Sequence, residues 1–210
     1  MKKNKNTIIR LASYRNALNR LKNMGFVRVF SDNLADALGI TSAQVRKDFS
    51  LWELTGKKRG GYIIDELIKR LNNILGKDRS QKVIVVGAGN LGKALIHYQG
   101  FSKAGIHIVA GFDIDPAKQG DAFGIPILAM DSLIDFIKKN NIRIGVIAVP
   151  DIAAQIVLEL LLSAGVKGIL NFAPIRLRAP EEVTVNNVNL GLELETVIYS
   201  INTLEFIEGE

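Results

Sequence analysis

The sequence predicts an α/β protein of two domains, a small helical domain followed by a larger one with a parallel sheet. Three observations support this division. Apolar residues recur at helical spacing through the first 76 residues, β-branched runs alternate with helical segments after residue 82, and a glycine-rich turn follows the first of those runs. The predicted domains are residues 1–76 and 82–189, joined by a short linker.

Basic residues are concentrated in the first predicted domain. The chain has 210 residues and a net charge of +6, yet residues 1–76 hold 15 basic and 6 acidic residues, which gives that part +9 and the remainder −3. Such a surface favours a polyanionic partner, because bound cations release the counterions of nucleic acid. A basic surface that meets only solvent is the alternative.

The composition excludes several kinds of site. The chain has no Cys, which excludes disulfides, thiolate zinc sites and cysteine nucleophiles. No apolar signal-peptide core follows the basic opening residues, and no segment approaches the roughly 18 apolar residues of a membrane span. We expect a soluble, cytoplasmic protein without a metal site.

Two helices open the first domain. Apolar residues at helical spacing predict a helix over residues 7–24, ended by Gly25. Ser31 is placed to cap a second, short helix over residues 32–38, which ends at Gly39.

A third helix begins at Thr41 after a tight turn, and Gln44 three residues later completes a predicted capping box. Two short helices joined in this way form a helix-turn-helix, whose second helix faces base edges in the major groove. Gln suits adenine, whereas Arg and Lys suit guanine or phosphate. The candidate DNA-binding residues of this helix are Ser42, Gln44, Arg46 and Lys47. An ordinary surface helix is the alternative.

A cationic segment follows, in which three cations precede a glycine pair and an aromatic residue. It suits a β-hairpin wing that lies along phosphates or in the minor groove, and a charged loop is the alternative. Its candidate DNA-binding residues are Lys57, Lys58, Arg59, Gly60 and Tyr62. Residues 63–75 then predict an amphipathic helix.

A glycine motif opens the second domain. The β-branched run 82–86 is followed at once by G-x-G-x-x-G and then by helix-forming residues, the context of a dinucleotide-binding Rossmann domain. The first glycine permits the turn, the second lets the backbone approach a pyrophosphate, and the third lets helix and strand pack closely. The candidate residues are Gly87, Ala88, Gly89, Asn90, Leu91 and Gly92.

An acidic residue stands where the ribose of the cofactor is expected. The second predicted strand, residues 106–112, ends at Asp113, 21 residues after Gly92. This acid suits a ribose 2′-OH and would repel a 2′-phosphate, so NAD or NADH is favoured over the phosphorylated forms. Asp115 and Lys118 are further candidates.

The remaining pattern extends a parallel sheet. Strands are predicted over 124–128, 144–149 and 168–172, with helices over 131–139 and from Pro150 to Ala164. Ligands of open α/β sheets bind outside the carboxyl ends of the strands. The residues expected on the nicotinamide side are Ala148, Val149, Pro150, Asn171, Phe172, Ala173 and Pro174, with Tyr98 as a ring-packing residue.

Other functions of the same fold stay open at this point. A small NAD-dependent dehydrogenase with an accessory DNA-binding domain is one, although the histidines His97 and His107 are better interpreted as structural than as catalytic. A Rossmann-like domain that binds another ligand, such as coenzyme A, or none at all, is another. We predict no enzymatic activity.

Four blocks of the sequence resemble the Rex family of redox-sensing transcriptional repressors. They are Ala43–Asp48, Val86–Gly92, Phe112–Pro116 and Gly168–Pro174, in the order and spacing of that family. The resemblance implies a homodimer that binds palindromic operators when NADH is scarce and leaves DNA when NADH binds. It also implies that residues 190–207, which are rich in apolar side chains, form a terminal dimerisation helix that is domain-swapped between subunits.

The sequence departs from the family pattern at several places. Family members commonly carry Leu-Ser-Tyr-Phe-Gly after Arg-Lys-Asp and a wing of the type Thr-Arg-Gly-Val-Gly-Tyr, where this chain has Phe49–Glu53 and Lys57–Tyr62. Asn16 and Asn189 stand where many members have Arg and Asp, which in some members form a charged contact linked to the redox state. The operator preference is therefore left open, and the contact between positions 16 and 189 cannot exist in ionic form in this chain.

Overall fold

A computed structural model describes residues 5–56, 60–77 and 80–208. The chain divides into two compact units, the first up to residue 79 and the second from residue 80. Each unit has its own apolar core.

Four helices and two short strands make up the described part of the first unit. They are α1 (Lys5–Asn23), β1 (Arg28–Val29), α2 (Ser31–Leu38), α3 (Ser42–Leu51), β2 (Tyr62–Ile63) and α4 (Ile64–Ile74). Buried side chains from all four helices form its core, among them Leu11, Leu34, Phe49 and Leu67. The helix-turn-helix of α2 and α3 is therefore fixed by α1 and α4.

The helix caps differ in detail from the prediction. Ser31 lies inside α2, and Phe30 is the capping residue, whose backbone N–H donates to Asn33 Oδ1 at 2.9 Å. Thr41 caps α3 as predicted, since its hydroxyl accepts the N–H of Gln44 at 3.2 Å. The return bond of a capping box is replaced, because the Gln44 side chain donates to Asp48 instead.

The wing strand pairs with a distant segment. β2 runs antiparallel to β1, with Val29 opposite Tyr62 and Arg28 opposite Ile63. The predicted local hairpin is wrong in this respect, because the partner strand lies ahead of α2 in the sequence. A two-residue strand carries too little pattern to reveal such a pairing.

The second unit is a seven-stranded sheet with helices. Its elements are β3 (Gln81–Val86), α5 (Asn90–His97), α6 (Gly100–Lys103), β4 (Ile106–Asp113), β5 (Gly120–Ala122), β6 (Ile125–Ala129), α7 (Leu133–Asn140), β7 (Ile144–Ile147), α8 (Asp151–Ser163), β8 (Gly168–Asn171), β9 (Thr184–Asn187) and α9 (Leu190–Glu208).

The strand order is β5-β6-β4-β3-β7-β8-β9, and all neighbours are parallel except β5 with β6. Without β5 this is the Rossmann order 3-2-1-4-5-6, with the switch point between β3 and β7. The predicted fold class is confirmed. Strands β5 and β9 were not predicted, because their residues include Gly120 and two asparagines and lack an apolar strand pattern.

The terminal helix α9 presents apolar side chains away from its own unit. Leu194 and Ile198 are 62% and 51% exposed, one turn apart. Leu190, Leu192, Val197, Tyr199 and Ile201 are at least half exposed as well. An apolar surface of this extent marks an interaction site.

Candidate functional site

A cavity of about 610 Å³ lies at the carboxyl ends of β3, β4 and β7, next to the switch point of the sheet. Its size is within the range of small-molecule and cofactor sites. Its wall consists of Val86, Gly87, Gly89, Asn90, Leu91, Phe112, Asp113, Ile114, Asp115, Lys118, Met130, Ala148, Val149, Pro150, Ala153 and Val157.

The three glycines of the motif occupy different surroundings. Gly87 has φ +99°, and a Cβ there would lie 2.4 Å from the carbonyl oxygen of Ala148. A Cβ at Gly92 would lie 1.8 Å from the carbonyl oxygen of Gly87. A Cβ at Gly89 would meet nothing within 4 Å, so this glycine opens onto free space at the start of α5. Packing requires the outer two glycines, and the middle one leaves room for a ligand.

The carboxylate of Asp113 holds two backbone segments together. Its Oδ2 accepts the N–H of Ala88 at 2.7 Å, and its Oδ1 accepts the N–H of Asp115 at 2.9 Å. The residue is 8% exposed and still reaches the cavity. Ala88 is buried, so its contribution is this hydrogen bond. The glycine turn and the end of β4 are thereby joined at the place expected for a ribose.

Lys118 lies between two carboxylates at this end of the cavity. Its Nζ is 3.6 Å from Asp115 Oδ2 and 3.8 Å from Asp113 Oδ1. The side chains of Lys118 and Asp115 are both more than 40% exposed. Solvent therefore weakens the ion pair, and both groups can reorient toward a ligand.

Six apolar residues of the wall were not predicted as site residues, among them Val86 at the end of β3 and Phe112 near the end of β4. Ala153 and Val157 are one turn apart on α8, and Ile114 and Met130 follow β4 and β6. The helical spacing after Pro150 was the one sequence signal that could have revealed Ala153 and Val157.

The wall of the cavity does not include Asn171 to Pro174, and their place on the nicotinamide side stays a prediction. The Asn171 side chain is completely buried and donates to Asn187 Oδ1 at 2.9 Å and to the carbonyl oxygen of Ile175 at 2.9 Å. It also accepts the N–H of Ala173 at 3.0 Å, and Phe172 packs against a buried apolar cluster. These residues fasten β9 and the loop after β8.

Tyr98 also lies outside the cavity wall. It follows α5, is 60% exposed, and packs edge-to-face on Phe101 with ring centroids 5.0 Å apart. Together with His97 and His107 it lines a separate hollow of about 330 Å³. Its packing on the nicotinamide ring stays a prediction.

Helix α3 is anchored by a buried acid. Asp48 is fully buried and accepts hydrogen bonds from Arg10 Nε at 2.6 Å, Arg10 Nη2 at 2.8 Å, Tyr14 Oη at 2.9 Å and Gln44 Nε2 at 2.9 Å. Arg46 and Lys47 are exposed, whereas Ser42 and Gln44 are partly buried. The cations predicted to meet DNA are thus on the surface, and Gln44 is engaged within the protein.

These contacts set the acidity of the group. Burial would raise the pKa of Asp48, but hydrogen bonds from Arg10, Tyr14 and Gln44 and the charge of Arg10 outweigh it, so the pKa lies below its ordinary value. Burial and the bond to Asp48 raise the pKa of Tyr14, and the same carboxylate raises the pKa of Arg10. Asp48 is therefore an anion at neutral pH.

The described ends of the wing loop are bound by arginines. Arg28 Nη1 donates to the carbonyl oxygen of Gly60 at 2.7 Å, and Arg70 donates to the carbonyl oxygen of Glu53. The partly buried Tyr62 ring packs edge-to-face on Phe49, with ring centroids 5.1 Å apart. The predicted wing cations Lys57, Lys58 and Arg59 lie outside the described residues.

The described residues contain neither a cluster of metal-ligating side chains nor a membrane-spanning helix. Within them, no three His, Asp or Glu side chains are grouped so that they could bind a metal ion. The helices in that part of the chain are too short or too polar to cross a membrane.

Comparison with known families matches both units. Residues 78–175 match the family described as "CoA binding domain", and residues 4–50 match "Putative DNA-binding protein N-terminus". The first match agrees with a Rossmann-like unit, and the second covers α1 to α3.

Curated relatives match almost the full length. The redox-sensing transcriptional repressor Rex of Carboxydothermus hydrogenoformans is 43% identical over 93% of this chain and 94% of that protein. The Rex of Desulfitobacterium hafniense is 40% identical over 94% of each. These relatives are named as repressors, not as enzymes.

Two solved structures of RSP, a Rex-family repressor, are similar over the whole chain. RSP in complex with NAD+ and operator DNA has a TM-score of 0.93 at 34% identity and covers 100% of this chain and 97% of RSP. RSP with NADH has a TM-score of 0.86 at 34% identity, with 100% and 99% coverage. The full-length identity to repressors of one family places this chain in the Rex family of redox-sensing transcriptional repressors.

Proposed function

We propose that this protein represses transcription by binding palindromic operator DNA when NADH is scarce, and that NADH binding releases it. The observation that carries the proposal is a helix-turn-helix with exposed cations and a glycine-motif cavity in one chain of the Rex family. The dinucleotide acts as a regulatory ligand, not as a reactant.

Several features of the cavity suit a nicotinamide dinucleotide. The open space at Gly89 and the unpaired N–H groups of a helix N-terminus suit the pyrophosphate. Asp113, Asp115 and Lys118 suit the adenosine ribose. The mostly apolar wall at Ala148 to Pro150 suits the nicotinamide side.

Coenzyme A is the competing ligand, because a domain of that description matches this unit. Coenzyme A carries a phosphate on its adenosine ribose. The two carboxylates Asp113 and Asp115 lie at the place expected for that ribose and would repel the phosphate. This disfavours coenzyme A and NADPH alike.

The first unit supplies the DNA contacts. Arg46 and Lys47 on α3 are placed for bases or phosphates, with Ser42 and Gln44 on the same helix. The cations Lys57, Lys58 and Arg59 and the adjoining Gly60 are assigned to the backbone of the duplex from their position after the helix-turn-helix.

A cytoplasmic homodimer is the form that we propose. A palindromic operator presents two half-sites to a two-fold dimer. The apolar side chains of α9 provide a surface for the second subunit, and Leu194 and Ile198 are at its middle.

NADH binding and operator binding are coupled thermodynamically. A ligand shifts an equilibrium only through its differential affinity for the two states, so NADH must bind more tightly to the form that does not bind DNA. Operator DNA must then weaken NADH binding by the same factor.

The test is a titration in both directions. The operator is a palindromic duplex that the protein selects from a randomised pool, and its affinity is measured by anisotropy with NADH, NAD+ or coenzyme A added separately. NADH affinity is then measured by calorimetry with and without saturating duplex. We expect NADH to weaken operator binding by the same factor by which the operator weakens NADH binding. An NADH affinity that the operator does not change would contradict the sensor mechanism, while both binding activities would stand.

A further inference from the structure

We propose that Asp48 is a positioning residue for DNA recognition, which fixes α3 against α1 and holds the Gln44 amide in one orientation for a base edge. The inference rests on the proposed function, since it requires α3 to lie against DNA. It concerns a residue that makes no contact with DNA itself.

Burial of Asp48 shows that the group acts inside the protein. A carboxylate with no solvent exposure is costly unless it is paired and hydrogen-bonded. Four donor atoms surround it here, at 2.6 to 2.9 Å. The site is fully satisfied and therefore rigid.

The donors come from two helices. Arg10 and Tyr14 are four residues apart and thus on one face of α1, and the guanidinium of Arg10 binds both carboxylate oxygens. The next residue of α3, Phe49, packs edge-to-face on the Tyr14 ring at 5.1 Å. Two consecutive residues thus fix the rotation of α3 about its axis.

The fourth donor is the residue predicted to read a base. Gln44 lies one turn before Asp48 on α3, and its Nε2 donates at 2.9 Å. That bond uses one of the two Nε2 hydrogens and leaves the other, together with Oε1, for a base edge. Bidentate pairing with adenine needs one N–H and one carbonyl oxygen, so the anchored amide keeps what adenine recognition needs. Orientation before binding lowers the entropy cost of the contact.

The decisive variant is Asp48→Asn, which removes the charge and places an amide among donors. Loss of a carboxylate by itself strengthens DNA binding, because repulsion of phosphates falls. The proposal requires the opposite change in affinity, which is a loss of operator affinity of about tenfold. Asp36→Asn on α2, where the side chain is exposed, is the matched control for charge and should bind as tightly as the wild type or more tightly.

The specificity readout separates positioning from general destabilisation. Duplexes with each base pair of the selected site substituted in turn are bound by wild type, Gln44→Ala, Asp48→Asn and the double variant. Gln44→Ala should relax the preference at one base pair of each half-site, Asp48→Asn should relax the same pair, and the double variant should add little further. Equal weakening on all duplexes with preferences intact, or additive effects, would overturn the proposal.

Tyr14→Phe keeps the proposal testable if Asp48→Asn does not fold, because the ring packed on Phe49 is retained and one hydrogen bond to Asp48 is lost. Tyr14→Phe should relax the preference at the same base pair as Asp48→Asn, but to a smaller extent. Base-pair preferences identical to those of the wild type would contradict the role of Asp48. Arg46→Ala serves as the separate test of the proposed function. If Arg46→Ala weakens operator binding and the Asp48 and Tyr14 variants do not, this inference fails and the proposed function stands. If none of them weakens operator binding, α3 is not the recognition helix and this inference fails with that assignment. If the wild type itself selects no duplex from the randomised pool, the proposed function fails.

Discussion

Gly87 and Gly92 are in backbone contact, because a Cβ added to Gly92 would lie 1.8 Å from the carbonyl oxygen of Gly87. The overlap is with backbone, which cannot move aside as a flexible side chain can. The first turn of α5 therefore packs on the glycine turn only if residue 92 lacks a side chain.

The first prediction compares two glycine variants. Gly92→Ala should destabilise the second unit by at least about 2 kcal/mol, because overpacking against fixed backbone is costly. Gly89→Ala should leave stability within about 0.5 kcal/mol, since its Cβ meets nothing within 4 Å, and should still weaken NADH binding at least tenfold. Thermal unfolding and calorimetry measure the two effects. Normal NADH binding by Gly89→Ala would place the pyrophosphate elsewhere.

The second prediction concerns cofactor choice. NADPH should bind at least about tenfold more weakly than NADH, because its 2′-phosphate meets Asp113 and Asp115. Asp113→Asn should narrow this ratio more than Asp115→Asn does, since Asp113 is at the predicted ribose position. Calorimetry with both dinucleotides tests the assignment, and equal affinities in the wild type would contradict it.

The third prediction concerns the cations of α3. Arg46→Ala and Lys47→Ala should each cost about 1–3 kcal/mol of operator affinity if they contact a base, or flatten the salt dependence if they contact phosphate. NADH affinity should not change, because neither residue is in the cavity wall. Lys138→Ala removes an exposed charge from α7 and is the control. Normal operator binding by both variants would show that the recognition helix is wrongly assigned.

The fourth prediction is a pH dependence of stability. The pKa of Asp48 is lowered in the folded state, so its stabilising contribution is complete above the ordinary value of 3.8 and is lost as the pH falls through the folded value. Asp48→Asn should cost about 2–3 kcal/mol at neutral pH, and this difference should shrink on acidification below about pH 4. Urea unfolding followed by the fluorescence of Trp52, the single Trp of the chain, reports on the first unit. A difference that stays constant in acid would show that the carboxylate charge is not responsible.

The fifth prediction concerns α9. Leu194→Asp combined with Ile198→Asp should convert the dimer to a monomer, because charges on an apolar contact surface oppose association. Operator affinity should fall with it, since one subunit covers one half-site. Glu195→Gln on the same helix is the control. Sedimentation that shows an unchanged dimer would place the subunit interface elsewhere.

Local patterns made most of the fold predictable from the sequence. The glycine motif, Asp113 and the apolar runs of β3, β4 and β7 could be identified because each depends on a few neighbouring residues. The helix-turn-helix was predictable for the same reason, since Gly39 has φ 64° and Thr41 caps α3.

Long-range contacts were not predictable in this way. Asn171 was predicted to line the ligand site from its position at the end of a strand. In the structure its amide donates a hydrogen bond to Asn187, 16 residues away. Gln44 was predicted as half of a capping box, but its side-chain amide donates a hydrogen bond to Asp48.

The sequence by itself determined that a basic helix-turn-helix precedes a dinucleotide-type Rossmann unit, because turn chemistry and hydrophobic periodicity are local properties of the chain. Only the tertiary structure decided that Asp48 joins α3 to Arg10, 38 residues earlier, and that β2 pairs with β1. The physical reason is that the sequence offers a polar side chain several hydrogen-bond partners of similar energy. Burial beside one particular donor in the folded chain decides which of these hydrogen bonds forms.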